Sequence, residues 1–194
     1  DCKQLLQGAC DAVDNGLNGD IYNNQAVQSA LCLYLYYKQG YVVHDTFLFS
    51  VDLENIGKWY RQLMGESIGK EYDVYGNRVS VGIVPTVSIG TSDLHSVAQL
   101  YLSGPYIIYT MFVGIEDSGT YGMNAFLHGT CAAYQKNSRP FSVTMLSKKN
   151  EYYLGKFLQH KMLEIMYLGN FLQINPFDQP NVELYKREVK QLLQ

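Results

Sequence analysis

The 194-residue chain is 47% apolar and only 17% charged, which excludes a disordered chain and suits one compact domain with a sizeable core. Its net charge of −3, from 15 Lys and Arg against 18 Asp and Glu, offers no general attraction to nucleic acid or to an anionic membrane. No apolar run approaches the ~20 residues that cross a bilayer and no signal pattern opens the chain, so a soluble cytoplasmic protein is expected.

The chain begins at Asp1 without an initiator Met and turns almost at once helical, from which an excised piece is expected. Breakers and periodicity predict helices over Lys3–Asp14 and Gln25–Lys38, separated by Asn15, Gly16, Asn18, Gly19 and Asp20. Val42–Phe49, rich in β-branched and aromatic residues, reads as a buried strand, followed by a helix over Asp52–Gly65 capped by Asp52. Val79–Ile89 is a second strand, with Pro85 arguing against a fully paired central position. A helix over Asp93–Leu102 follows, then the almost wholly apolar strand Tyr106–Ile115. Met123–Asn137 reads as a helix and Pro140–Leu146 as a fourth strand. Glu151–Leu168 is a long helix with an apolar stripe at Leu154, Leu158, Met162, Ile165 and Met166. After a break at Asn175 and Pro176, a last helix runs from about Pro180 to Leu193.

This alternation predicts an α/β fold, a doubly wound and mostly parallel sheet between helices, with carboxy-terminal helices. Ligands of such sheets sit beyond the carboxyl ends of the strands, which directs attention to the loops near 65–70, 89–95 and 175–180. Cys2, Cys10, Cys32 and Cys131 form no metal-ligand spacing and read as buried free thiols, so no metal site is expected. Tyr34, Tyr36, Tyr37, Tyr152 and Tyr153 suit half-buried packing surfaces with wet hydroxyls, or a subunit interface. His44 in a strand, and His128 and His160 on helices, read as packing or surface residues.

Three stretches carry candidate chemistry. Gly65-Glu66-Ser67-Ile68-Gly69-Lys70 sets a carboxylate in a glycine-flanked loop, where partial desolvation would suit Glu66 to act as a general base; the bland alternative is a solvated glutamate. Ile89-Gly90-Thr91-Ser92-Asp93-Leu94-His95 offers Ser92 or Asp93 as a cap and puts His95 in a helix's first turn, where the positive end would favour a neutral imidazole; local packing is the alternative. In the third, Asn175 to Lys186, Gln179 falls just before a helix and Lys186 about two turns along it, which by spacing alone is an ordinary amphipathic terminus. No P-loop, GxGxxG motif or nucleophile elbow occurs, so any chemistry is acid–base chemistry.

In combination and in this order, the three stretches resemble the glucose-6-phosphate isomerase family. Trp59-Tyr60-Arg61-Gln62-Leu63-Met64 with Gly65–Lys70 resembles its base motif, Thr91–Tyr101 with Gly104-Pro105 its histidine motif, and Asn175–Lys186 its carboxy-terminal signature. Asn181 and Tyr185 stand where the common pattern has glycine. The resemblance implies a flavodoxin-like sugar-isomerase domain over 1–168 and a terminal active-site segment and helix over 169–194, within one domain spanning 1–194. It implies catalytic roles for Glu66 (C1–C2 proton transfer), His95 (ring opening, in the neighbouring subunit's site) and Lys186 (ring opening or phosphate contact), with Gln179 a substrate contact. The implied partners are a sugar phosphate, an amino-terminal domain that supplies the phosphate loop and an enediol-stabilising arginine, and a second copy in a homodimer. The chain alone is therefore expected to be inactive. The alternatives are a non-catalytic sugar-phosphate-binding regulatory module of the same fold and a structural interaction domain. Glu66, His95 and Lys186 occurring together favour the enzyme.

Overall fold

The computed structural model describes residues 1–117 and 122–193. Its centre is a four-stranded parallel sheet of β1 (Val43–Leu48), β4 (Val84–Ile89), β5 (Ile108–Asp117) and β6 (Phe141–Lys148), in the order β4-β1-β5-β6. Each of the four expected strand spans contributes one strand to this sheet. Pro85 lies in an edge strand, where a missing ladder donor is tolerated.

Helices α1 (Cys2–Gly16), α2 (Gln25–Lys38), α3 (Glu54–Ile68) and α7 (Glu151–Phe171) form the layer on one side of the sheet. Leu33, Tyr60, Met64 and Leu168 bury there against Leu48, Met111 and Val113. The other face of the sheet turns Phe47, Phe49 and Phe112 towards α5 (Ala98–Ser103) and α6 (Met123–Lys136), where Tyr101, Leu127 and Tyr134 complete a second core. The alternation of β1 explains the split: His44 and Leu48 point one way, Asp45 and Phe47 the other. Helix α1 packs on α7 at backbone distance. A Cβ on Gly8 would stand 1.9 Å from the Tyr152 carbonyl oxygen, and one on Gly155 2.0 Å from that of Leu5.

Several expectations are corrected. The span Val79–Ile89 is two strands, because Gly82 and Ile83 separate β4 from β3 (Arg78–Val81). Strand β3 pairs antiparallel with β2 (Lys70–Tyr72) in a small hairpin, whose turn is held by Asp73 accepting from the amides of Tyr75 and Asn77, with Gly76 at φ 84°. The helix expected over Asp93–Leu102 is interrupted at Val97, giving α4 (Ser92–Ser96) and α5. Asp52 caps nothing; it lies in a 3-10 turn over Val51–Leu53 and pairs with Lys149 at 2.5 Å. On α7 the buried face is Phe157, Lys161, Glu164, Ile165 and Leu168, whereas Met162 and Met166 are 39% and 42% exposed. Polar residues at Lys161 and Glu164 concealed that face from a hydropathy reading, because an ion pair carries them inside. Cys2, Cys10 and Cys32 are exposed and Cys131 half-buried; all four are free.

The tyrosines at 34, 36, 37, 152 and 153 are half-buried as expected. His44 is a buried packing residue, and His128 lies on the surface of α6. The last helix, α8 (Val182–Leu192), buries no residue. No helix among the described residues is long and apolar enough to cross a membrane, and no cluster of His, Cys, Asp and Glu among them suits a metal ion.

Candidate active site

Glu66 lies in the last turn of α3, not in a loop. Ser67 and Ile68 after it are buried, so tertiary packing carries the helix past Gly65 to a cap at Gly69. The carboxylate is half-buried, and each of its oxygens accepts from an amide. Gln62, one turn earlier, donates to Oε1 at 3.0 Å, and Gln179, 113 positions later, donates to Oε2 at 2.8 Å. The arrangement orients Glu66 while leaving it at the surface. It borders an open groove of about 600 Å³ on the solvent side of α3, lined also by Trp59, Arg61 and Gln62.

Beside the contact between Gln179 and Glu66 stands Lys70, a residue inside the first motif to which the sequence reading gave no role. Its side chain is only 5% exposed. The ammonium donates to the Glu66 carbonyl oxygen at 2.9 Å and to the Asp178 carbonyl oxygen, and it stands 3.4 Å from Asp178 Oδ1. One buried cation therefore ties the last turn of α3 to the 175–180 loop. The loop is also held from behind: Val74 of the hairpin donates to the Gln173 carbonyl at 2.8 Å, and Pro176 packs against Gly169. Asn175 accepts from the Phe177 amide at 3.1 Å, closing the local turn. Gln179 thus reaches across to Glu66 and does not cap α8, whose first residues have no side-chain cap.

The other two candidates stand apart. His95 is exposed in the last turn of the five-residue α4, so the positive-end argument does not apply to it. Its loop is fastened by Asp93, which accepts from the Ile89 amide at 2.7 Å and from the Ser96 hydroxyl at 2.9 Å, and not by a side-chain cap. Lys186 is exposed on α8 and pairs with Glu183 at 2.8 Å. The ion pair raises the pKa of Lys186 and lowers that of Glu183, through the hydrogen bond between them. The structure therefore brings together Glu66 and Gln179, and leaves His95 and Lys186 facing solvent.

No family model matches the sequence. The chain is 30% identical, over an alignment 214 positions long, to the glucose-6-phosphate isomerase of Carboxydothermus hydrogenoformans, covering 98% of this chain and 46% of that enzyme. It superposes on a hypothetical protein of known structure from Thermus thermophilus with a TM-score of 0.85 and 27% identity, covering 100% of this chain and 50% of that one. It also shares its fold with a glucose-6-phosphate isomerase from Chlamydia trachomatis, at a TM-score of 0.89 and 22% identity over 98% of this chain and 42% of that one. The chain spans about half the length of the curated relatives it matches. Over its whole length it is homologous to a carboxy-terminal part of the glucose-6-phosphate isomerases.

Proposed function

We propose that this chain is the carboxy-terminal domain of an aldose–ketose isomerase acting on glucose 6-phosphate and fructose 6-phosphate, in glycolysis and gluconeogenesis. The observation that carries the reading is the 2.8 Å contact between Gln179 and Glu66, which joins two of the three motifs at one helix end. In the proposed reaction the ring opens and Glu66 moves a proton between C1 and C2 through a cis-enediol, a step that needs neither metal nor organic cofactor. Gln179 contacts the substrate beside the base, and Lys186 serves ring opening or the phosphate end. The solvent-facing position of His95 suits a residue given to a neighbouring subunit of a homodimer.

A positioned base supplies on the order of 10²- to 10⁴-fold of an enzyme's acceleration. The remainder needs groups that orient the phosphate and stabilise the developing oxyanion, which the proposal assigns to an amino-terminal domain. The open groove beside Glu66 encloses nothing, in keeping with a half-site. The test is isomerase activity of this chain mixed with a separately produced amino-terminal half. Activity appearing only in the mixture, and lost on Glu66→Gln, is the expected result. A folded mixture without activity, while this chain alone binds sugar phosphate, would replace the proposal with a regulatory binding module.

A further inference from the structure

A second space lies elsewhere, between α1, α2 and α7 and the strands β5 and β6. It is a cavity of about 470 Å³, and Glu66, His95, Gln179 and Lys186 are all absent from its wall. That size falls in the range of small-molecule sites. Its wall carries a buried ion pair: Lys161 donates to Glu164 Oε2 at 2.7 Å, with side chains only 3% and 1% exposed. The other Glu164 oxygen accepts from the Tyr60 hydroxyl.

Each Glu164 oxygen accepts one hydrogen bond, and the Lys161 ammonium, with three N–H groups, has one acceptor among the described residues. The rings of Tyr60 and Phe157 stand 5.1 and 5.8 Å from it and offer no lone pair. Lys156 lines the same cavity without an ion-pair partner among the described residues. With two ammonium groups against one carboxylate, the lining residues carry net positive charge. Leu33, Met111 and Phe157 supply an apolar wall alongside.

We infer that this cavity binds a small organic anion, its acidic head at Lys161 and its apolar body against Leu33, Met111 and Phe157. The buried His44, whose two ring nitrogens are unpartnered, also lines the cavity. The site is independent of the isomerase reading, since the two share no residue named for either.

The test is calorimetric titration of the 194-residue chain with hexanoate, against hexanol, hexylamine and inorganic phosphate, with the imidazole NMR signals of His44 and His160 followed in parallel. Saturable hexanoate binding that shifts both signals, tighter than any of the other three probes, is the expected result. The double variant Lys161→Met/Glu164→Leu removes the ammonium without stranding a buried charge, and Cys32→Phe adds bulk to the wall from α2. Each, checked by circular dichroism for a native fold, is expected to weaken hexanoate binding at least about tenfold. Hexanoate binding no tighter than hexanol, phosphate binding as tightly as hexanoate, or unchanged hexanoate binding in either folded variant would overturn the inference.

Discussion

The side-chain amide of Gln179 donates to the carboxylate of Glu66 across 2.8 Å, although the two residues are 113 positions apart. Neither residue is buried, so the contact is not imposed by a core around it. The nearly inaccessible Lys70 holds the backbone on both sides of it.

Replacing Lys70 with Met should therefore release the 175–180 loop. Losing charge-assisted bonds from a buried ammonium costs on the order of 2 kcal/mol. Hydrogen exchange should speed up at residues 175–180 while the central strand β5 stays protected. Equal acceleration in both would assign Lys70 to general stability alone.

The contact of α1 with α7 gives a paired prediction about alanine. Gly155→Ala improves helix propensity by about 1 kcal/mol, yet its Cβ would meet the Leu5 carbonyl oxygen at 2.0 Å, so the helices must part. A net loss of at least about 2 kcal/mol in denaturant unfolding is expected. Gly129→Ala on α6, with nothing within 4 Å of the added methyl, should gain up to about 1 kcal/mol.

Acid should weaken the fold in two stages. Burial, reinforced by the charge of Lys161 and opposed by that of Glu164, lowers the pKa values of His44 and His160 to about 4. Below the ordinary value near 6.5 the unfolded chain binds protons that the folded chain refuses, so stability falls between pH 6.5 and 4. Burial alone would raise the pKa of Glu164, but Lys161 and His160 hold it down to about 2. Its contribution is present above pH 4.5 and is lost as the pH falls towards 2. Denaturant midpoints measured from pH 8 to 3 should fall from about 6.5 downward. In a His44→Phe variant the first stage should shrink, and an unchanged profile would contradict the assignment.

The parallel sheet was legible in the sequence because its strands are apolar runs between clear breakers, and Pro85 marked the edge. The hairpin of β2 and β3 was not, because Lys70–Tyr72 is too short and polar to show a strand pattern. The pairing of Lys161 with Glu164 at three-residue spacing was a visible signal, overlooked because charged residues on a helix are normally solvated. In the candidate site, the Gln62 to Glu66 bond follows helical spacing, whereas nothing local links Lys70 to Asp178. The helix break at Val97 and the solvent-facing position of His95 depend on tertiary packing that periodicity does not report.

The central claim is that Glu66 is the base of an enediol isomerisation completed by an amino-terminal half. The most direct measurement is uptake of deuterium from D₂O into hexose 6-phosphate by the reconstituted mixture. The account predicts uptake at C1 or C2 that falls on the order of 10²- to 10⁴-fold on Glu66→Gln in a folded mixture. Uptake unchanged by that substitution would contradict it.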